Sequence, residues 1–85
     1  MDIKVLDTSH GPVYEQIRSQ IENMITSGTL ASGAELPRPL AVAHQCAVDK
    51  GEVARAYFEL EQAGLVVSKK SRNFLGETVV TYTVA

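Results

Sequence analysis

"DKGEVARAYFELEQAGLVVSKK", Asp49 to Lys70, reads as an amphipathic helix that passes directly into a strand bearing paired lysines. Asp49 has the short acceptor side chain of an N-cap, and Glu52, three residues on, has the reach to return to the Asp49 amide and complete a capping box. Both negative charges also suit the positive end of a helix. Val53, Ala56, Tyr57 and Leu60 recur at helical spacing as an inner stripe, and Gly64 supplies a left-handed residue to end it. "LVVSKK" then reads as a strand, "SRN" as a turn and "FLGETVVTYTVA" as a second strand interrupted by Gly76. Two strands with a tight connection imply an antiparallel hairpin.

Two more helices are expected upstream. Pro12 suits a first turn and Gly28 a left-handed stop, and Val13, Ile17, Ile21, Met24 and Ile25 share one face between them. Residues 28–37 form a loop around one anchoring leucine, and Pro37 and Pro39 restrict the approach to a short helix that buries Leu40, Ala43 and Ala47. At the start, "IKVL" reads as a short strand or an ordered arm, closed by the turn cluster "DTSHGP". The expected organisation is one mainly α domain with a small β hairpin over 1–85. It comprises an arm or strand (1–10), helix one (12–27), helix two (39–46), helix three (49–63), and a hairpin with a C-terminal strand (65–85).

With 85 residues the chain suits a single core. Cys46 is the only cysteine, so no intrachain disulfide forms, and with His10 and His44 it makes no recognisable metal set; no cofactor is expected. No apolar run is long enough to span a membrane and no leader is recognisable, which points to the cytoplasm. Ser9, His10, Asp7 and Cys46 offer reactive atoms without a nucleophile motif, so an enzyme is not expected. The formal net charge of −2 disfavours a strong nucleic-acid binder, unless one face is locally basic.

The segments "GPVYEQIRSQIENMITSGTLASGAELP" and "VARAYFELEQAGLV", with the hairpin after them, resemble the DNA-binding domain of GntR-type bacterial transcriptional regulators, and particularly the short YtrA-like branch. The resemblance spans roughly residues 11–75 and is most specific at Tyr14, Glu15, Gln16, Ile17, Ile21, Gly28, Leu30, Gly33, Leu36 and Pro37. It implies a winged helix-turn-helix: a homodimer on palindromic double-stranded DNA, helix three in the major groove and the hairpin tip near the adjacent backbone or minor groove. The departures fall on the reading surface. Arg38 and Leu40 stand where the family places serine and arginine, and Ala47 stands where it places a turn glycine. Asp49, Lys50 and Ala54 replace a serine and two arginines, and Ser71 and Asn73 replace hairpin glycines. An alanine at left-handed φ costs about 1–2 kcal/mol, so a differently shaped turn is expected at Ala47.

The candidate DNA contacts are Arg38, Lys50, Arg55, Lys69, Lys70 and Arg72. Against that reading, Arg55 is spaced to pair with Glu59 on a solvated face, and the lysines and Arg72 can be plain hydrated charge. Phe58 and Tyr82 are candidates for a protein or dimer surface. The competing function is therefore a diverged winged-helix interaction module with little DNA affinity.

Overall fold

All three helices are followed by a residue with positive φ. The computed structural model describes residues 1–85 and contains α1 (Val13–Thr26), α2 (Pro39–Cys46), α3 (Lys50–Gln62), β1 (Val66–Arg72) and β2 (Thr78–Val84), with a single 3-10 turn at Thr8–His10. After α3, the Gly64 amide donates to Glu61 O and the Leu65 amide to Leu60 O, with Gly64 at φ 76°. After α2, the Ala47 amide donates to His44 O and the Val48 amide to Ala43 O, with Ala47 at φ 55°. After α1, Gly28 at φ 82° donates to Ile25 O, and the second closing bond comes one residue later, from the Leu30 amide to Met24 O. Ala47 is the single non-glycine residue of the chain with positive φ. The turn between α2 and α3 thus has the left-handed shape that a glycine would give, and the expectation of another shape was wrong. The two backbone bonds that close the helix end, from the Ala47 and Val48 amides, offset the alanine's strain.

The core joins α1 to α3 and to the base of the hairpin. Ile17 and Ile21 from α1, Val42 and Ala43 from α2, and the full stripe Val53, Ala56, Tyr57 and Leu60 from α3 are buried. In α2 the expectation was partly wrong. Leu40 is 51% exposed and Ala47 is exposed, while Val42 is fully buried. α2 starts at Pro39 as expected, and its inward face falls on Val42, Ala43 and the half-buried Cys46.

The N-terminal segment is an arm and contains no strand. Its peptide groups are met by glutamine side chains of α1 instead of by a neighbouring strand. Gln16, buried at 8%, accepts from the Leu6 amide at 2.7 Å and donates to Leu6, Asp7 and Gly11 carbonyls. Gln20 accepts from the Lys4 amide at 3.0 Å and donates to its carbonyl at 2.6 Å. A side-chain amide offers the same donor and acceptor as a peptide, so it holds extended backbone without a sheet. Ile3 is thereby set into the core.

β1 and β2 pair antiparallel, from Val66 opposite Val84 to Arg72 opposite Thr78. The loop before α2 adds a short third rung: Glu35 bridges Thr83, Leu36 N donates to Tyr82 O and Gly33 N to Val84 O, both at 2.8 Å. Leu36, at 3% exposure, anchors this loop more deeply than the half-buried Leu30. Val66 and Val84 are buried while residues 71–78 are all exposed, so the hairpin is rooted in the core and projects away from it.

Candidate nucleic-acid interface

The Asp49 carboxylate accepts from the Gly51 amide at 3.0 Å and so fixes the start of α3. The reciprocal half of the capping box is absent. The Glu52 amide donates to the Asp49 carbonyl at 3.0 Å, and its carboxylate makes no hydrogen bond. Lys50, the first residue of α3, and Ala54 one turn later face a cleft of about 510 Å³ that runs between α2, α3 and the hairpin. Arg38, the N-cap residue of α2, stands on its other wall with Leu40, and Val80 and Tyr82 line the hairpin side. The turn at Ala47 therefore brings two cations from different helices to one concave surface.

Charge pairing sorts the six candidate cations into two groups. Arg38, Lys50, Lys69, Lys70 and Arg72 make no ion pair. Arg55 is engaged inside the domain: its guanidinium carbon lies 3.7 Å from the Tyr14 ring centre and Nε lies 3.3 Å from Glu59. It clasps α3 to α1 and does not line the cleft. Arg18 is paired with Glu15 and Glu22 on α1, which draws the Glu15 carboxyl below its ordinary value, chiefly by the hydrogen bond from Arg18. The ion pairs between helix side chains lie on α1 and α3, leaving unpaired positive charge at the cleft and the hairpin. On a chain of net charge −2, the cations without ion pairs therefore lie at the cleft and along the hairpin.

The hairpin cations do not form one cluster. Strand alternation puts Lys70 and Arg72 on the face that carries Val66 and Ser68, and Lys69 on the opposite face with Val67. Arg72 ends β1 at the base of the tip, whereas Lys69 sits in mid-strand opposite Thr81. The tip itself is residues Asn73–Glu77, so the turn falls later than "SRN" and "FLG" is loop rather than strand. The Asn73 carbonyl accepts from Gly76 at 3.0 Å, the Asn73 amide donates to Glu77 O at 3.0 Å, and Gly76 takes φ 80°. That is a short hairpin loop with a glycine bulge. The sequence signal was asparagine at the first turn position and glycine at the fourth, which outranks the apolar run between them.

Two expectations for apolar surface separate likewise. Tyr82 stacks edge-on against Tyr57 with centroids 5.0 Å apart and closes the core beside the cleft, so it is not a free docking residue. Phe58, on α3, is 57% exposed. Sequence reasoning missed Phe74 and Leu75, which the tip holds at 94% and 67% exposure.

No helix is long and apolar enough to cross a membrane, and no three His, Cys, Asp or Glu side chains cluster to hold a metal.

The fold and these sequence patterns have relatives. Residues 13–75 match the family described as "Bacterial regulatory proteins, gntR family". The chain is 38% identical over 58 residues to the HTH-type transcriptional regulator Rv1152 of Mycobacterium tuberculosis, covering 68% of this chain and 48% of that protein. It is 29% identical over 83 residues to the HTH-type transcriptional repressor YtrA of Bacillus subtilis, covering 96% of this chain and 64% of the repressor. It thus spans about half to two thirds of the length of these relatives. Among solved structures, YtrA from Sulfolobus acidocaldarius, a GntR-family transcription factor, superposes with a TM-score of 0.73 at 31% identity, over 87% of this chain and 69% of that one. The three helices and two-stranded wing are therefore a winged helix-turn-helix, and the chain belongs to the gntR family of bacterial regulatory proteins, in its YtrA-like branch.

Proposed function

We propose that this chain is the DNA-binding part of a transcriptional repressor that acts as a homodimer on a palindromic operator. The observation that carries the reading is the set of five unpaired cations at the cleft and hairpin, on a chain whose net charge is −2. An α-helix fits the major groove, and Lys50 and Ala54 are the residues of α3 that line the cleft beside the wing. Lys50 reaches a base edge, Arg38 and the Leu40 amide at the start of α2 meet phosphate, and Lys70, Arg72 and Lys69 follow the backbone along the hairpin. Arg55 contributes through the stability of α3 and not by contact.

Two copies related by a two-fold axis present two such helices to half-sites about one duplex turn apart. Phe58 supplies exposed apolar surface for a second copy or another protein partner. The Bacillus relative carries the name of a repressor, which favours repression over activation.

The test is selection from genomic fragments with purified protein, repeated at several salt concentrations. An inverted repeat with a steep salt dependence is the expected product. No enriched site at micromolar protein defeats the reading and favours the interaction module.

A further inference from the structure

The geometry points to an apolar wedge at the wing tip: Phe74 and Leu75 enter the minor groove of duplex DNA and part a base step. This rests on the DNA reading proposed above and deepens it. Phe74 is the most exposed large apolar side chain of the molecule, at 94%, with Leu75 beside it at 67%. Neither packs on the core, so both are free to be covered by a partner from outside the domain.

The tip is held in shape before any partner arrives. The Asn73 side-chain oxygen accepts from the Leu75 amide at 2.9 Å and the Glu77 amide at 3.0 Å, on top of the two backbone bonds that close the loop. The pair therefore stands at the end of a braced loop.

Charge identifies the occupant. Lys69, Lys70 and Arg72 precede the tip within β1 and make no ion pair, while the loop's acidic residue, Glu77, lines the cleft. An apolar point backed by unpaired cations matches a groove of bases walled by phosphates. A protein surface that received the same tip would need its own acidic rim. Width decides between grooves. The major groove takes α3, and the minor groove, about 6 Å wide, admits a narrow turn but not a helix. Apolar side chains that enter there partly unstack a step and kink the duplex.

The experiment places a stacking-sensitive fluorescent adenine analogue singly along the selected duplex and adds the full chain. Emission rises at one step per half-site when the wild-type protein binds. Phe74→Ser with Leu75→Ser removes the rise and weakens binding about tenfold, without changing the salt dependence, because no phosphate contact is lost. Bound duplex with no rise at any step overturns the wedge alone, as does a double variant that binds and brightens like wild type. A chain that binds no duplex overturns the wedge together with the DNA reading.

Discussion

The Tyr57 hydroxyl donates a 2.7 Å hydrogen bond to the Pro37 carbonyl, which ties the most voluminous fully buried side chain of α3 to the backbone just before α2. The bond sets where Arg38 and Pro39 begin the second helix, and so sets one wall of the cleft. A core residue thereby positions a surface residue. Burial, with smaller contributions from Tyr82 and Cys46, holds the Tyr57 phenol well above its ordinary value near 10.

The consequence is a loss of stability in alkali. A raised folded value means that the native state keeps its proton where the unfolded chain has lost it, so the contribution is whole below pH about 10 and falls as pH rises beyond it. Urea midpoints measured from neutral pH upward should drop in that range for the wild type. Tyr57→Phe should flatten the drop while costing about 1–2 kcal/mol at neutral pH, through the unpaired Pro37 carbonyl. Parallel midpoint curves for the two proteins would remove Tyr57 as the cause.

Ala47→Gly should stabilise the domain. The residue is exposed and sits at φ 55°, so the substitution loses little packing and removes strain of about 1–2 kcal/mol, part of which returns as glycine's extra entropy when unfolded. A net gain of about 0.5–1 kcal/mol in chemical denaturation is expected. A loss would mean that the αL geometry is not the native one.

The helices and the inner stripe of α3 were legible because they depend on short-range rules: spacing of Val53, Ala56, Tyr57 and Leu60, an aspartate cap, and glycines after α1 and α3. Open choices and errors came where another part of the chain decides. Composition left residues 1–10 open between a strand and an ordered arm, and Gln16 and Gln20 of α1 decide for the arm by taking its hydrogen bonds, a choice visible only once α1 lies against it. Leu40 reads as core, but α2 packs inward through Val42 and Ala43, which leaves Leu40 on the wall of the cleft. At the candidate site, residue type gave the cations correctly as charges but not as neighbours. Arg55 is held by Tyr14 and Glu59, and Lys69 is turned from Lys70 by strand alternation. Phe74 and Leu75 were read as strand because the apolar run hid the Asn73 to Gly76 turn.

The cap at α3 separates two acidic residues that look equivalent in sequence. Asp49→Ala removes the acceptor for the Gly51 amide and should cost about 1 kcal/mol. Glu52→Ala should cost only a few tenths of that, from weaker charge at the helix start, because its carboxylate makes no hydrogen bond. Thermal or urea unfolding of the two variants checks this; equal losses would restore the reciprocal box.

Binding energy and base discrimination should separate between the wing and α3. Changing Lys69, Lys70 and Arg72 together to glutamine removes three unpaired charges along β1. Binding should weaken on every duplex, with the salt slope reduced by up to about 3 per subunit. Since Lys69 lies on the other strand face from Lys70 and Arg72, the single Lys69→Gln change should account for less than its third of that reduction. Lys50→Ala should act differently, because the residue begins the helix placed for the major groove and lines the cleft with Ala54. It should relax preference at one position of each half-site by about 1–3 kcal/mol while altering the salt slope by at most about 1. Arg55→Gln should leave the slope unchanged and lower stability by about 0.5–1 kcal/mol, since its charge is spent on Tyr14 and Glu59. Titrations of matched and mismatched duplexes over a salt series, paired with unfolding curves, read all four variants. A Lys50 variant that weakens all duplexes equally would assign that lysine to phosphate and leave base reading to other residues of α3.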